Sequence, residues 1–145
     1  MMMKIGDLAR TAQCTVETVR YYEREGLLPA PARTAGNFRD YGREHAERLR
    51  FIRNCRALDM SHDEIRRILT LADQPECGCG AVNAVVDQHI AHVDARIREL
   101  EQLRASLAAL RERCQREQAV EACGILQGLA EMESEPRPER HTHLG

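Results

Sequence analysis

The sequence predicts a mainly α-helical protein in which an N-terminal winged helix-turn-helix domain is followed by one long helix. Three observations support this prediction: two short helical segments joined by a tight turn, the segment 82–113 with neither Pro nor Gly, and three cysteines placed around that segment. We assign the winged domain and its linker helices to residues 1–75 and a dimerisation helix to 76–114. A loop with a short helix is assigned to 115–133, and a disordered tail to 134–145.

Composition fits helices that bury one stripe better than it fits a large independent core. Of 145 residues, 43% are hydrophobic, only 3% are aromatic and 30% are charged. No apolar run is long enough to cross a membrane and no signal peptide precedes Lys4, so we expect a cytoplasmic protein without a membrane partner. In that compartment the six cysteines stay reduced and are better interpreted as ligands, core residues or redox groups than as disulfides.

The first two predicted helices form the helix-turn-helix. Apolar spacing marks the first helix at Ile5, Leu8, Ala9 and Ala12. Thr15 is a suitable N-cap for a second helix over Val16–Glu25, and Gly26 is a suitable terminator. The second helix of such a motif enters the major groove of DNA. Residues 1–75 carry 13 Lys and Arg against 11 Asp and Glu, whereas 76–145 carry 8 against 12, which weakly favours the N-terminal half as the DNA-facing one.

A small wing and two further helices complete the predicted domain. Residues 32–42 contain a Gly36-Asn37 turn between two short extended arms. A third helix follows at about Arg43–Ala57. The sequence 61–64 is a capping box that opens a fourth helix, which Pro75 closes.

Candidate DNA contacts lie on the second helix and around the wing. Arginine suits both phosphate pairing and bidentate guanine contact, and tyrosine hydroxyls commonly touch phosphate. These candidates are Arg20, Tyr21, Arg33, Asn37, Arg39 and Tyr41.

The long helix carries an apolar stripe at the spacing of a two-stranded seam. Its steps alternate between three and four residues with one local irregularity, and a single helix with such a stripe needs a partner. We therefore expect a homodimer whose long helices form an antiparallel coiled coil. The stripe consists of Val86, Ile90, Val93, Ile97, Leu100, Leu103, Leu107 and Leu110, with Cys114 on its continuation.

Three cysteines predict a metal site shared between two chains. At 1.5 Å per residue the helix is about 50 Å long, so Cys79 cannot reach Cys114 or Cys123 within one chain. Cys114 and Cys123 can meet through a short loop, and Cys79 would come from an antiparallel partner. Soft thiolates select ions such as mercury (Hg), cadmium (Cd), lead (Pb), zinc (Zn) or copper(I), although structural zinc usually takes four ligands.

Other cysteines and histidines are weaker candidates. Cys77 could be an extra ligand or a spectator, whereas Cys14 and Cys55 lie on apolar helix faces and are predicted to be core residues. A second metal site is the remaining possibility, against ordinary surface histidines. Its candidate ligands are His89 and His92, one helical turn apart, and His141 and His143 in the tail.

Three segments resemble the winged-helix N-terminus of the MerR family of transcriptional activators: Val19-Arg20-Tyr21-Tyr22-Glu23, Gly26-Leu27-Leu28-Pro29 and Asn37-Phe38-Arg39-Asp40-Tyr41. The resemblance extends from Lys4 to about Gln127. It implies DNA contacts at Arg20, Arg33, Phe38 and Arg39, with Phe38 replacing a tyrosine that is frequent there and Glu17 replacing a basic residue of some relatives. It also implies a dimer that binds double-stranded promoter DNA and acts on RNA polymerase.

Finer resemblance points to the cadmium- and lead-responsive (CadR/PbrR-like) subgroup. It rests on residues 51–56, Leu58-Asp59-Met60, Cys79-Gly80 with Val82-Asn83, and Cys123-Gly124-Ile125-Leu126-Gln127. The implied function is activation of heavy-metal resistance genes when Pb or Cd binds the three cysteines. Copper(I) sensors of the family lack a cysteine at the position of Cys79, whereas mercury sensors share the spacing.

Several alternatives remain open from the sequence. They are a mercury- or zinc-responsive regulator of the same family, a thiol redox sensor in which Cys114 and Cys123 form a disulfide, and a metal-buffering protein. An enzyme is not expected, because the sequence offers no convincing nucleophile–base pair, phosphate loop or catalytic pair of carboxylates.

Overall fold

The structure is a computed structural model that describes residues 2–76 and 78–134. Three predicted metal ligands, Cys77, His141 and His143, and the predicted disordered tail beyond Ser134 lie outside the described residues. Packing divides the chain into two compact units, Met1–Val86 and Asp87–Gly145. The domain boundaries drawn from the sequence stay a prediction.

The predicted mainly helical fold class is confirmed. In chain order the elements are α1 (Ile5–Thr11), α2 (Val16–Arg24), β1 (Ala32–Arg33), β2 (Arg39–Asp40), α3 (Arg43–Ala57), α4 (His62–Ala72), α5 (Gly80–Glu112), a 3-10 turn (Val120–Ala122) and α6 (Gly124–Glu131).

Helix α2 begins and ends through the residues that the sequence indicated. The Thr15 hydroxyl accepts the Thr18 backbone N–H at 3.1 Å, which satisfies one of the donors that the first turn leaves unpaired. At the other end Gly26 has φ +75°, and the N–H groups of Gly26 and Leu27 donate to the carbonyls of Glu23 and Tyr22. This is a Schellman motif, in which glycine adopts the left-handed conformation at no steric cost. The helix ends one residue earlier than predicted.

The wing is a two-stranded antiparallel hairpin. Ala32 pairs with Asp40 and Arg33 with Arg39, and the predicted Gly36-Asn37 turn lies between the strands with Asn37 at φ 62°. The backbone of Met3 also exchanges hydrogen bonds with that of Tyr41 at 2.7 and 2.8 Å. The end of the wing is thereby fixed to the N-terminal segment.

Two apolar clusters hold the first unit together. One packs α1 and α2 against the start of α3 around Leu8, Val19 and Leu49, with Tyr41 and Leu28 in the same cluster. The other joins the later helices and contains Leu27, Ile52, Cys55, Met60, Ile65, Ile68, Leu69 and Val85. Each fully buried aliphatic side chain of this kind stabilises the fold by about 1.5–3 kcal/mol. The first two helices and the helices that follow the wing are therefore held together by buried apolar contacts.

Helix α5 carries its predicted stripe on the surface of the chain. Of the eight apolar stripe residues, six are exposed, among them Ile90 at 51% and Leu107 at 58%, whereas Val93 and Leu110 are half-buried. So large an apolar surface on one helix marks an interaction face. Within residues 2–76 and 78–134, no helix has the length and apolar character needed to span a bilayer.

Candidate nucleic-acid interface and metal centre

The structure gathers five of the seven predicted DNA contacts around one open groove of about 610 Å³ between α2 and the wing. We call this the basic groove. Four of its seven lining residues are cationic, which suits a polyanion. The groove is lined by Lys4, Ile5, Arg20, Arg33, Asn37, Phe38 and Arg39.

The wing tip presents both a polar and an apolar group to this groove. Arg33 Nη1 donates to the Asn37 carbonyl at 3.2 Å, a hydrogen bond that connects β1 with the turn of the wing. The Phe38 ring is 69% exposed and lies over Gly36, where an added Cβ would stand 3.2 Å from the ring. An aromatic ring without a hydroxyl at the tip can offer a nucleic acid only apolar contact.

The prediction that Tyr41 contacts DNA is wrong. Tyr41 is fully buried, and its hydroxyl donates a short hydrogen bond to the Glu23 carboxylate. Burial, and next the hydrogen bond with Glu23, raise the pKa of Tyr41 to about 12. The position next to the wing suggested a surface residue, but the backbone pairing with Met3 turns the ring into the core.

Tyr21 lies on a different side of its helix from the basic groove. It is half-buried, with its hydroxyl 3.1 Å from Nδ1 of His62 at the start of α4. Burial, and next the charge of Arg56, lower the pKa of His62, which favours the neutral imidazole, and the tyrosine hydroxyl and this ring share one hydrogen bond. DNA contact by Tyr21 stays a prediction, and its observed role is to join α2 to α4.

Sequence reasoning missed Glu23, the residue that links α2 to the wing. Its carboxylate accepts from Tyr41 and pairs with Arg39 Nη1 at 3.4 Å. A glutamate in the last turn of a helix gives no local sign of partners sixteen and eighteen residues later.

The second site is a pocket of about 530 Å³ that contains two of the three predicted thiol ligands. We call it the thiol pocket. It lies beyond the end of α5, and its polar and apolar walls come from the loop 114–118 and the start of α6. Its lining residues are Arg111, Cys114, Gln115, Arg116, Glu117, Gln118, Val120, Cys123, Ile125 and Leu126.

Cys123 occupies the N-cap position of α6. Backbone N–H groups of Leu126 and Ile125, and next a contact with the Cys114 thiol, favour the thiolate and lower the pKa of Cys123. The thiolate is the form of cysteine that binds metal, so a lowered pKa is in the direction that favours metal binding. The two adjacent sulfur donors fit a soft metal ion.

Two glycines place Cys123 beside Cys114. A Cβ on Gly124 would collide with the backbone carbonyl oxygen of Arg113 and lie 3.1 Å from its carbonyl carbon. A Cβ on Gly128, one turn later, would lie 2.8 Å from Cδ1 of Leu110. Helix α6 therefore packs directly on the end of α5. The four-residue spacing of Gly124 and Gly128 is the feature of the sequence that could have predicted the close approach of α6 to α5.

The third predicted thiol ligand, Cys79, stands at the other end of α5. Cys79 is exposed and directly precedes the helix, whereas Cys114 follows its last residue, Glu112, by two positions. A helix of 33 residues is about 50 Å long, and Cys79 and Cys114 flank its two ends.

Cys14 and Cys55 pack in or against the apolar clusters, as predicted. Cys55 is buried in the second apolar cluster, and burial raises its pKa. Cys14 is half-buried beside the first cluster, and burial raises its pKa against the opposing charge of Arg53. Both thiols are held in the protonated form.

Two of the four predicted histidine ligands lie in the described residues. His89 and His92 lie on α5 with ring centroids 6.5 Å apart and planes nearly perpendicular. The second metal site stays a prediction, since His141 and His143 lie outside the described residues.

Comparison with known proteins identifies the family. The sequence model described as "MerR HTH family regulatory protein" matches residues 3–71, and the model "MerR, DNA binding" matches residues 46–110. An "HTH-type transcriptional regulator ZntR homolog" from Haemophilus influenzae is 52% identical over 111 residues, which are 77% of this chain and 82% of that protein. The chain belongs to the MerR family of transcriptional regulators. Its relatives are regulators rather than enzymes.

Solved MerR-family structures show the same fold. The transcription regulator PbrR691 from Ralstonia metallidurans CH34, in complex with lead(II), is 54% identical and superposes with a TM-score of 0.81, covering 88% of this chain and 98% of that one. The regulator MerR from Bacillus megaterium MB1, in complex with mercury(II), is 28% identical with a TM-score of 0.72, covering 89% and 100%.

Proposed function

We propose that this MerR-family protein is a metal-responsive activator of heavy-metal resistance genes that binds promoter DNA as a homodimer. It responds to Pb or Cd bound by Cys79 of one chain together with Cys114 and Cys123 of the other. The observation that carries the proposal is the split of thiols: two are adjacent in the thiol pocket and the third lies beyond the opposite end of α5.

DNA binding is supported by the basic groove. Arg20 from α2 and Arg33 and Arg39 from the wing surround one open space. Helix α2 enters the major groove, and the wing cations contact the adjacent phosphates.

Dimerisation is supported by the exposed stripe of α5. An antiparallel pair of these helices buries both stripes and brings Cys79 of one chain to the thiol pocket of the other. The dimer therefore has two equivalent three-thiolate sites, one at each end of the helix pair.

The choice of metal is supported by the donor set and by the relatives. Three thiolates suit a soft divalent ion that accepts pyramidal or trigonal geometry, and the 54% identical PbrR691 holds lead(II). Mercury is the alternative, since the 28% identical MerR holds that ion, and zinc is disfavoured because three thiolates leave one of its usual four positions open. Cys77 is an additional ligand candidate in either case.

Activation follows from the position of the site between two chains. An ion that clamps thiolates from both chains binds one arrangement of the helices better than the other, which is the differential affinity that a two-state shift requires. The shift moves the two winged domains, distorts the bound promoter and lets RNA polymerase engage it.

Mixed dimers test the shared site. Cys79→Ser and Cys123→Ser chains should each fail to activate transcription in vitro under reducing conditions with Pb or Cd, while both still bind the promoter. In an equal mixture, random pairing restores about one quarter of the sites, because half of the dimers regain one intact site. Recovery of metal response in the mixture supports the proposal. If the mixture stays silent, or if either single variant responds normally, the shared site is refuted.

Thiol redox sensing is the second candidate, because the Cys114 and Cys123 thiols interact and the pKa of Cys123 is lowered. The same transcription assay separates the two functions. Activation by peroxide without metal, lost on Cys114→Ser, would replace metal sensing with disulfide formation.

A further inference from the structure

The carboxylate of Glu23, on α2, contacts two residues of the wing and so connects the two elements that border the basic groove. One oxygen accepts from the Tyr41 hydroxyl, and the other lies 3.4 Å from Nη1 of Arg39. Only 13% of the Glu23 side chain is exposed, so the ion pair is shielded from water on its acidic side. The Arg39 side chain is 38% exposed, and its open side lines the basic groove.

The Tyr41 end of this connection is held by packing and by backbone pairing. The Tyr41 ring is fully buried, stands edge-on to the His45 ring at 5.2 Å between centroids, and its backbone is paired with Met3. A hydrogen bond from such a group fixes the Glu23 carboxylate in place. Glu23 therefore acts as a rigid support for the charged end of Arg39.

Arg39 keeps donors for a second partner. A guanidinium has five N–H donors, and the Glu23 carboxylate, through Nη1, and the Tyr41 hydroxyl engage only part of them, so the remaining donors can reach a phosphate. Pre-arranging this long side chain also removes conformational entropy that would otherwise be lost when DNA binds.

We propose that Glu23 is a positioning residue that aims the Arg39 guanidinium at the DNA backbone and keeps the wing in register with α2. This inference rests on the proposed function, because it assigns a role within DNA binding. Glu23 itself does not touch DNA: it acts through Arg39.

The test compares Glu23→Gln, Arg39→Gln and the double variant with wild type. The Glu23→Gln change keeps the size of the side chain, and the new amide can still accept from Tyr41, but it lacks the charge that holds Arg39. The probe is a duplex carrying the promoter upstream of the protein's own gene, and the dissociation constant is measured over a range of salt concentrations. Glu47→Gln is the matched control, because Glu47 pairs with Arg43 on α3 and carries the same charge change outside the basic groove.

Positioning predicts three results together. Glu23→Gln weakens binding about tenfold, the order expected for one hydrogen bond to a charged group. It lowers the slope of log K against log salt by about one unit per chain, as loss of one phosphate contact should. The double variant is no weaker than Arg39→Gln alone, since both changes remove the same contact. Glu47→Gln leaves the affinity within about twofold of wild type, as an exposed pair allows.

Three other results would overturn the inference. Tighter binding with a steeper salt slope would show that Glu23 merely neutralises Arg39. A loss that leaves the slope unchanged and adds to that of Arg39→Gln would show a general structural effect, which a lowered melting temperature would accompany. Unchanged binding would show no role in DNA binding, with the proposed function intact. A wild-type protein that binds the promoter no better than unrelated DNA at physiological salt would instead refute the proposed function, and the inference with it.

Discussion

Replacement of Gly124 by alanine should disable the thiol pocket without touching a thiol. The added Cβ would collide with the carbonyl oxygen of Arg113, and a backbone atom cannot rotate away as a side chain can. Restoring ordinary contact requires α6 to move on the order of 1 Å from α5. Metal–ligand distances vary by only about 0.2 Å. After such a shift, the sulfurs of Cys123 and Cys114 could not both bind one ion at normal bond lengths.

The size of the effect can be worked out from two opposing contributions. Overpacking of this kind costs about 1–3 kcal/mol. Replacing glycine inside a helix returns about 0.5–1 kcal/mol through lower entropy of the unfolded chain. The net loss in the free energy of unfolding is therefore between about 0 and 2.5 kcal/mol. The entropy of the unfolded chain does not enter metal binding by the folded protein, so the overpacking strain of about 1–3 kcal/mol alone raises the dissociation constant for the metal about five- to 150-fold.

The assay is a competitive titration with Pb, followed through the sulfur-to-metal absorption band, at fixed pH under reducing conditions. Gly6→Ala is the matched control, because an added Cβ there meets nothing within 4 Å. It should bind metal as wild type does. A Gly124→Ala protein with wild-type metal affinity would refute the argument that close packing of α6 places Cys123.

Three further changes test the DNA-facing unit by chemical denaturation. Thr15→Ala removes the N-cap acceptor of the Thr18 N–H and should cost about 0.5–2 kcal/mol, whereas an unchanged midpoint would contradict the cap. Gly26→Ala puts a Cβ at φ +75° and should cost about 1–2 kcal/mol. Tyr41→Phe removes the donor to Glu23. Since the folded pKa of Tyr41 is about 12 against a model-compound value of 10.0, its stabilisation is complete below pH 10 and is lost as pH rises towards 12. The advantage of wild type over Tyr41→Phe should therefore shrink in that range, and a constant difference would contradict the pKa argument.

Local signals account for most of what the sequence predicted well. The Thr15 cap, the Gly26 terminator and the Gly36-Asn37 turn each act through neighbouring backbone atoms, so their effect is visible in a few residues. The apolar stripe of α5 could also be predicted from the sequence, because apolar residues that share one helix face recur every three or four positions.

Errors and omissions arose where distant residues decide the outcome. The Tyr41 ring points inward because Met3, far back in the chain, pairs with its backbone. Glu23 received no role because its partners come from the wing. The spacing of Cys114 and Cys123 suggested their meeting, but the support that Gly124 and Gly128 give to it depends on contacts with the end of α5.

The length of α5 has a consequence for when the regulator can sense metal at all. On the proposed arrangement, an isolated chain holds two thiols at one end of the helix and one at the other, and so contains no finished site. A newly synthesised subunit is then unresponsive until it finds a second one, and the fraction of competent sensor rises with its own concentration. Dimerisation would therefore control metal sensing. At a protein concentration too low for dimers to form, metal would not bind the three-thiolate site and no promoter would be activated.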